Sequence, residues 1–182
     1  MNYKRWTFVA VGLLGIGIVS GLAMPDQFAN LFAEDLAALK ELSSILGPFK
    51  ITTAVFIFLK NVSALILSFI FSPVLCLAPV LALLVNGFII SFVSILVLQE
   101  ESLGILLVGL VPHGIFELPA LIMGEAAALS FGTMALAALI SKERRKQLKS
   151  NLRQNLRYLI IAFLLLLPAA VIETYITPLF LT

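Results

Sequence analysis

The apolar stretch Leu103 to Ile140 runs 38 residues with only three ionisable side chains, His113, Glu117 and Glu125, and it constrains the chain more than any other feature. As a helix rising about 1.5 Å per residue it would be about 57 Å long, nearly twice the roughly 30 Å of bilayer hydrocarbon. No water-soluble domain of this size has a core that hides such a segment, so lipid must be its solvent. Its excess length predicts a break, and Pro112, Gly114 and Pro119 are the residues able to supply one. A broken or re-entrant segment is therefore expected here.

The rest of the chain agrees with a membrane solvent. It is 61% hydrophobic and 12% charged over 182 residues, whereas soluble domains carry about 25% charged residues. Further spans are expected at 6–24, 49–71, 73–98 and 158–176, which makes 103–140 the fourth of about five. The expectation is an all-α, polytopic transmembrane helical bundle forming a single integral membrane domain over 1–182. The first helix lacks a small-residue cleavage site before Pro25 and reads as a retained span. Between Pro25 and Lys50, Phe28, Leu31, Phe32, Leu39, Leu42 and Ile45 recur at helical spacing among charges, so 25–50 is expected to be an external amphipathic helix closed by Gly47-Pro48.

Charge sets the expected topology. Lys4 and Arg5 precede the first span, and 141–157 holds Lys142, Arg144, Arg145, Lys146, Lys149, Arg153 and Arg157 against Glu143. Both belong in the cytoplasm by the positive-inside rule, and the basic segment reads as a cytoplasmic loop. Four crossings between them leave the N-terminus inside and the C-terminus outside a cell membrane.

Polar residues at membrane depth mark the candidate site, because unpaired polar groups are expensive there. His113 and Glu117 are four apart and share a helix face. They either satisfy backbone groups freed by the prolines or line a cavity. Glu125 lies roughly 80° around the helix from Glu117 at about 100° per residue, so the two need not share a site. Glu173 follows a long apolar run near the outer end of the last span. Asn61 and Asn86 suit interhelical hydrogen bonds, and Lys60 must snorkel or find a partner. Ala120, Gly124, Ala128 and Gly132 form a ridge of small residues, and Gly17 and Gly21 repeat that spacing, so close helix packing or a homodimer is expected along them. Cys76, the single cysteine, reads as a small buried hydrophobe.

No catalytic set, cofactor motif or nucleic-acid-binding pattern is evident: one histidine with scattered glutamates is a poor metal set, and no serine is paired with a base.

Pro112 to Ala120 as a block, Asn61, the Asn86-Gly87 pair, and Ile172-Glu173 followed by Thr177-Pro178 resemble the stage II sporulation protein M family over residues 50–180. The resemblance implies a polytopic helical membrane protein that anchors and helps assemble partners, membrane or extracytoplasmic, without catalysis of its own. A scaffold or assembly factor is thus expected. The alternative from the residues alone is a small channel or transporter with His113 and Glu117 lining its path.

Overall fold

The computed structural model describes residues 3–23 and 47–181, and these residues are almost wholly helical. The helices are α1 (Tyr3–Leu22), α2 (Ile51–Phe71), α3 (Leu77–Glu100), α4 (Leu103–Ile140) and α5 (Lys142–Val171), followed by a π-helical turn (Ile172–Ile176) and α6 (Thr177–Leu181). Five helices are long and apolar enough to cross a membrane. Large apolar side chains such as Phe8, Ile16, Leu67, Leu81 and Leu164 are exposed around the bundle, which suits a lipid solvent. Most of the expected amphipathic helix lies outside the described residues.

Interhelical contacts fix the helix directions. Gly17 packs on Leu84, and Gly21 on Phe88 and Ser91, so α1 runs parallel to α3. Asn61 meets Glu117 and Ser68 meets Glu125, so α2 runs parallel to α4. Asn155 reaches Ser130 across the α4–α5 hairpin, and the α3–α4 pair closes the same way through a short turn at Ser102. Alternation then brings Lys4, Arg5 and the basic start of α5 to one end of the bundle. At the opposite end, the Phe49 N–H donates to the Thr174 carbonyl at 3.2 Å. That carbonyl is free because its α-helical partner would be Pro178, which has no N–H.

Two expectations need correction. The fourth segment is neither broken nor re-entrant: α4 stays helical from Leu103 to Ile140 through Pro112, Gly114 and Pro119. Each proline removes one backbone hydrogen bond, but the flanking turns continue, and α5 packs along α4 to hold it. The basic 141–157 segment is likewise helix rather than loop, continuous with the last span. Lysine, arginine and glutamine are good helix formers. Within this stretch Asn151 and Asn155 are buried and Leu148 and Leu152 half-buried, one helical face turned to α4.

A single extended residue, Ser141, reverses the chain between α4 and α5. The Arg145 guanidinium donates to the Ala138 and Leu139 carbonyls at 2.8 and 3.2 Å, placing a cation on the last turn of α4 where the helix dipole favours one. The Ser141 hydroxyl donates to Glu143 at 2.7 Å, which draws that exposed carboxyl below its usual range. At the α2–α3 reversal, Leu75 and Cys76 both adopt positive φ, at 52° and 56°. The turn is seated on α4, where a Cβ at Gly132 would collide with the Ser72 carbonyl and lie 2.8 Å from Cys76 Sγ. Cys76 is buried there, as expected of a small hydrophobe.

The small residues pack within the chain. Gly17 and Gly21 seat α1 on α3 with Gly87 opposite them, and Gly124 and Gly132 seat α2 and the α2–α3 turn on α4. Ala120 and Ala128 are fully buried in the same core. The spacing that suggested a dimer is therefore occupied inside one protomer.

Candidate functional site

The polar residues singled out in the spans converge on the centre of the bundle and on the half that ends at the Phe49–Thr174 contact. His113 and Glu117 stand one turn apart on α4, with Nε2 and Oε2 at 3.9 Å and side chains 16% and 32% exposed. Asn61 of α2 donates from Nδ2 to Glu117 Oε1 at 3.2 Å. Two turns further along α4, Glu125 is 1% exposed and accepts from the Ser68 hydroxyl of α2. Asn86 of α3 donates back to the Ala82 carbonyl of its own helix at 2.7 Å. Asn61 thus bridges helices as expected, whereas Asn86 does not.

Asn61, Asn86, Glu117 and Glu125 nonetheless line one cavity of about 50 Å³, closed by Ala64, Leu65, Ala82, Leu121 and Leu166. The expectation that Glu117 and Glu125 need not share a site is corrected here. Their Cα atoms leave the helix roughly 80° apart, but α2 and α3 bring the two asparagines into the gap and join the two sides.

A second, wider space of about 480 Å³ lies between the second half of α3 and the first half of α4. Its walls are mainly apolar, among them Ile90, Val93, Ile105 and Leu106, with Gly109 and Ser94 narrowing them least. His113 and Glu173 form its polar part. Glu173 sits in the π-helical turn and interacts electrostatically with His113, Glu117 and Lys60. Lys60 therefore has an electrostatic link to this cluster, although its side chain is exposed on α2. The signal for it was its position one residue before Asn61. Among the described residues, His113 Nδ1 is a buried ring nitrogen with no hydrogen-bond partner.

The arrangement holds hydrogen-bonding side chains at fixed positions between α2 and α4. Among the described residues no three His, Cys, Asp or Glu side chains gather as a metal-holding group. Glu117 and Glu125 are each held by a side chain of α2, Asn61 and Ser68, which fixes their geometry.

A family model described as stage II sporulation protein M matches residues 7–178, beginning in α1 and ending in α6. The match thus takes in the first helix, which the motif-based resemblance over 50–180 did not reach. An uncharacterised protein of Methanocaldococcus jannaschii is 28% identical over 103 residues, 56% of this chain and 58% of that protein. The chain therefore spans little more than half the length of that relative. No solved structure matches it.

Proposed function

The chain belongs to the stage II sporulation protein M family, and on that premise we propose that it is a non-enzymatic scaffold or assembly factor that holds a partner protein at the cell membrane. In this reading Lys4, Arg5 and the basic start of α5 lie in the cytoplasm, and the α3–α4 turn faces outward.

The observation that carries the reading is the wide, mainly apolar space between α3 and α4. A partner's single transmembrane helix fits its chemistry: apolar walls for side-chain packing, and Gly109 and Ser94 for close backbone approach. The channel reading loses its main support, since it relied on a broken fourth helix and α4 is continuous.

Photocrosslinking in native membranes tests the proposal. A photoreactive residue at Ile90 or Leu106 should capture a discrete second membrane protein, and the same residue at Phe8 or Ile140 should not. Crosslinks only to lipid at all four positions would remove the scaffold reading.

A further inference from the structure

We propose that the exposed face of α5 carrying Arg153 and Arg157 is a binding site for one anionic phospholipid, with the headgroup on the two guanidinium groups and an acyl chain against Ile161. The inference stands apart from the scaffold reading and rests on the order of side chains along one groove.

α5 passes from polar to apolar sequence as one helix, and after Glu143 no acid occurs before Glu173. Asn151, Asn155 and Leu159 are buried on its inner face. On another face lies an open groove of about 550 Å³ lined by Ser150, Arg153, Gln154, Arg157, Tyr158 and Ile161. These positions recur at three- and four-residue spacing, so they form one stripe along the helix. Arg145 is committed to the Ala138 and Leu139 carbonyls, whereas among the described residues neither Arg153 nor Arg157 makes a hydrogen bond or an ion pair. Two guanidinium groups one turn apart, about 6 Å along the axis, therefore line the groove without a counter-charge.

Arginine's planar fork matches the oxygens of a phosphate, so a phosphate group is the anion this pair fits best. What selects a phospholipid over a free phosphate lies next along the stripe. The Tyr158 ring is pinned by its stack on Tyr3, whose hydroxyl donates to the Met123 carbonyl at 2.8 Å. A tyrosine, apolar in its body and polar at its tip, suits the headgroup level of a bilayer. Ile161 follows, 43% exposed, and the sequence stays apolar from there to Val171. The groove thus runs from the neutral polar groups Ser150 and Gln154, past two cations and an aromatic ring, to a surface that faces hydrocarbon. A phospholipid presents its polar headgroup, phosphate and acyl chain in the same order. Basic side chains at this level draw anionic lipids to the membrane surface, and the groove gives one of them a defined seat. A soluble anion would leave Ile161 unused.

Native mass spectrometry tests the site on the full chain, released from neutral detergent micelles doped with phosphatidylglycerol or with phosphatidylcholine of the same acyl chains. One phosphatidylglycerol should be retained per chain, with at least about tenfold preference over phosphatidylcholine. Arg153→Gln and Arg157→Gln should each weaken retention about fivefold or more. Arg144→Gln removes the same charge roughly 140° around α5 from Arg157 and outside the groove, so it should leave retention unchanged. All three arginines are exposed and glutamine is a good helix former, so the variants should fold. Equal losses in Arg144→Gln and Arg157→Gln would reduce the effect to diffuse surface charge and overturn the proposal, as would equal retention of the two lipids by the wild-type chain. Glycerol 3-phosphate at equimolar concentration should not displace the lipid. Displacement would assign the groove to a free phosphate and overturn the lipid site.

Discussion

Gly87 of α3 faces Gly17 of α1 so closely that a Cβ on Gly87 would lie 3.2 Å from the Gly17 carbonyl carbon and 2.9 Å from the Ile18 nitrogen. It would also collide with the Leu14 carbonyl oxygen. Backbones meet here without side chains between them. Helix association in lipid depends on such van der Waals fit, because lipid tails are as apolar as the side chains they replace. Gly87→Ala should therefore destabilise the bundle by about 1–3 kcal/mol, the usual effect of overpacking. The thermal midpoint in mild detergent reads this directly. Gly12→Ala is the control, since nothing lies within 4 Å of a Cβ there, and it should be neutral or slightly stabilising.

Ser68 and Glu125 are both buried, and the Ser68 hydroxyl is the donor that reaches the carboxyl. Ser68→Ala should cost about 1–3 kcal/mol, the effect of leaving a buried polar group without its partner. In a double-mutant cycle with Glu125→Gln, measured by resistance to unfolding in sodium dodecyl sulfate, the two changes should be non-additive. Strict additivity would mean that the hydrogen bond contributes nothing.

The Tyr3 ring stacks on Tyr158 with centroids 3.5 Å apart, and its hydroxyl donates to the Met123 carbonyl at 2.8 Å. Tyr3→Phe keeps the stack and removes the hydrogen bond, so a loss of about 1 kcal/mol is expected. Tyr3→Ala should lose a further 0.5–1.5 kcal/mol or so with the ring contact. Faster amide hydrogen exchange in the first turns of α1 is the corresponding readout.

Helix directions place the α3–α4 turn and the α4–α5 turn at opposite ends of the bundle. In a Cys76→Ala background, Ser102→Cys should react with a membrane-impermeant maleimide on intact cells. Ser150→Cys should react only after permeabilisation. The reverse pattern would invert the proposed orientation while leaving the alternation of helices intact.

Much of the architecture was written in the local pattern. The spans, the acidic turn before Leu103 and the depth of Asn61, His113 and Glu117 all follow from where apolar runs start and stop. Three features did not, each because tertiary packing decided it. Pro112 and Pro119 carry a strong local bias against helix, yet α5 lies along α4 and the helix persists. Charge marked 141–157 as exposed but hid the buried positions, Asn151 and Asn155, that seat it on α4. Finally, the helical angle between Glu117 and Glu125 measures only their own helix, whereas the cavity joining them is completed by α2 and α3.

The π-helical turn at Ile172–Ile176 has an evolutionary reading. Such a turn amounts to one residue more than the surrounding α-helix would hold, the footprint of a single-codon insertion. Losing that residue would restore a regular helix with little change of bearing beyond it, and would re-aim the side chains of the turn itself. Residues before and after the turn would keep their places, while Glu173 and the Thr174 carbonyl that accepts from Phe49, both within the turn, would be re-aimed. Length variation among relatives is therefore expected to be tolerated in the loops and rejected here, since one codon sets the bearing of Glu173 toward His113.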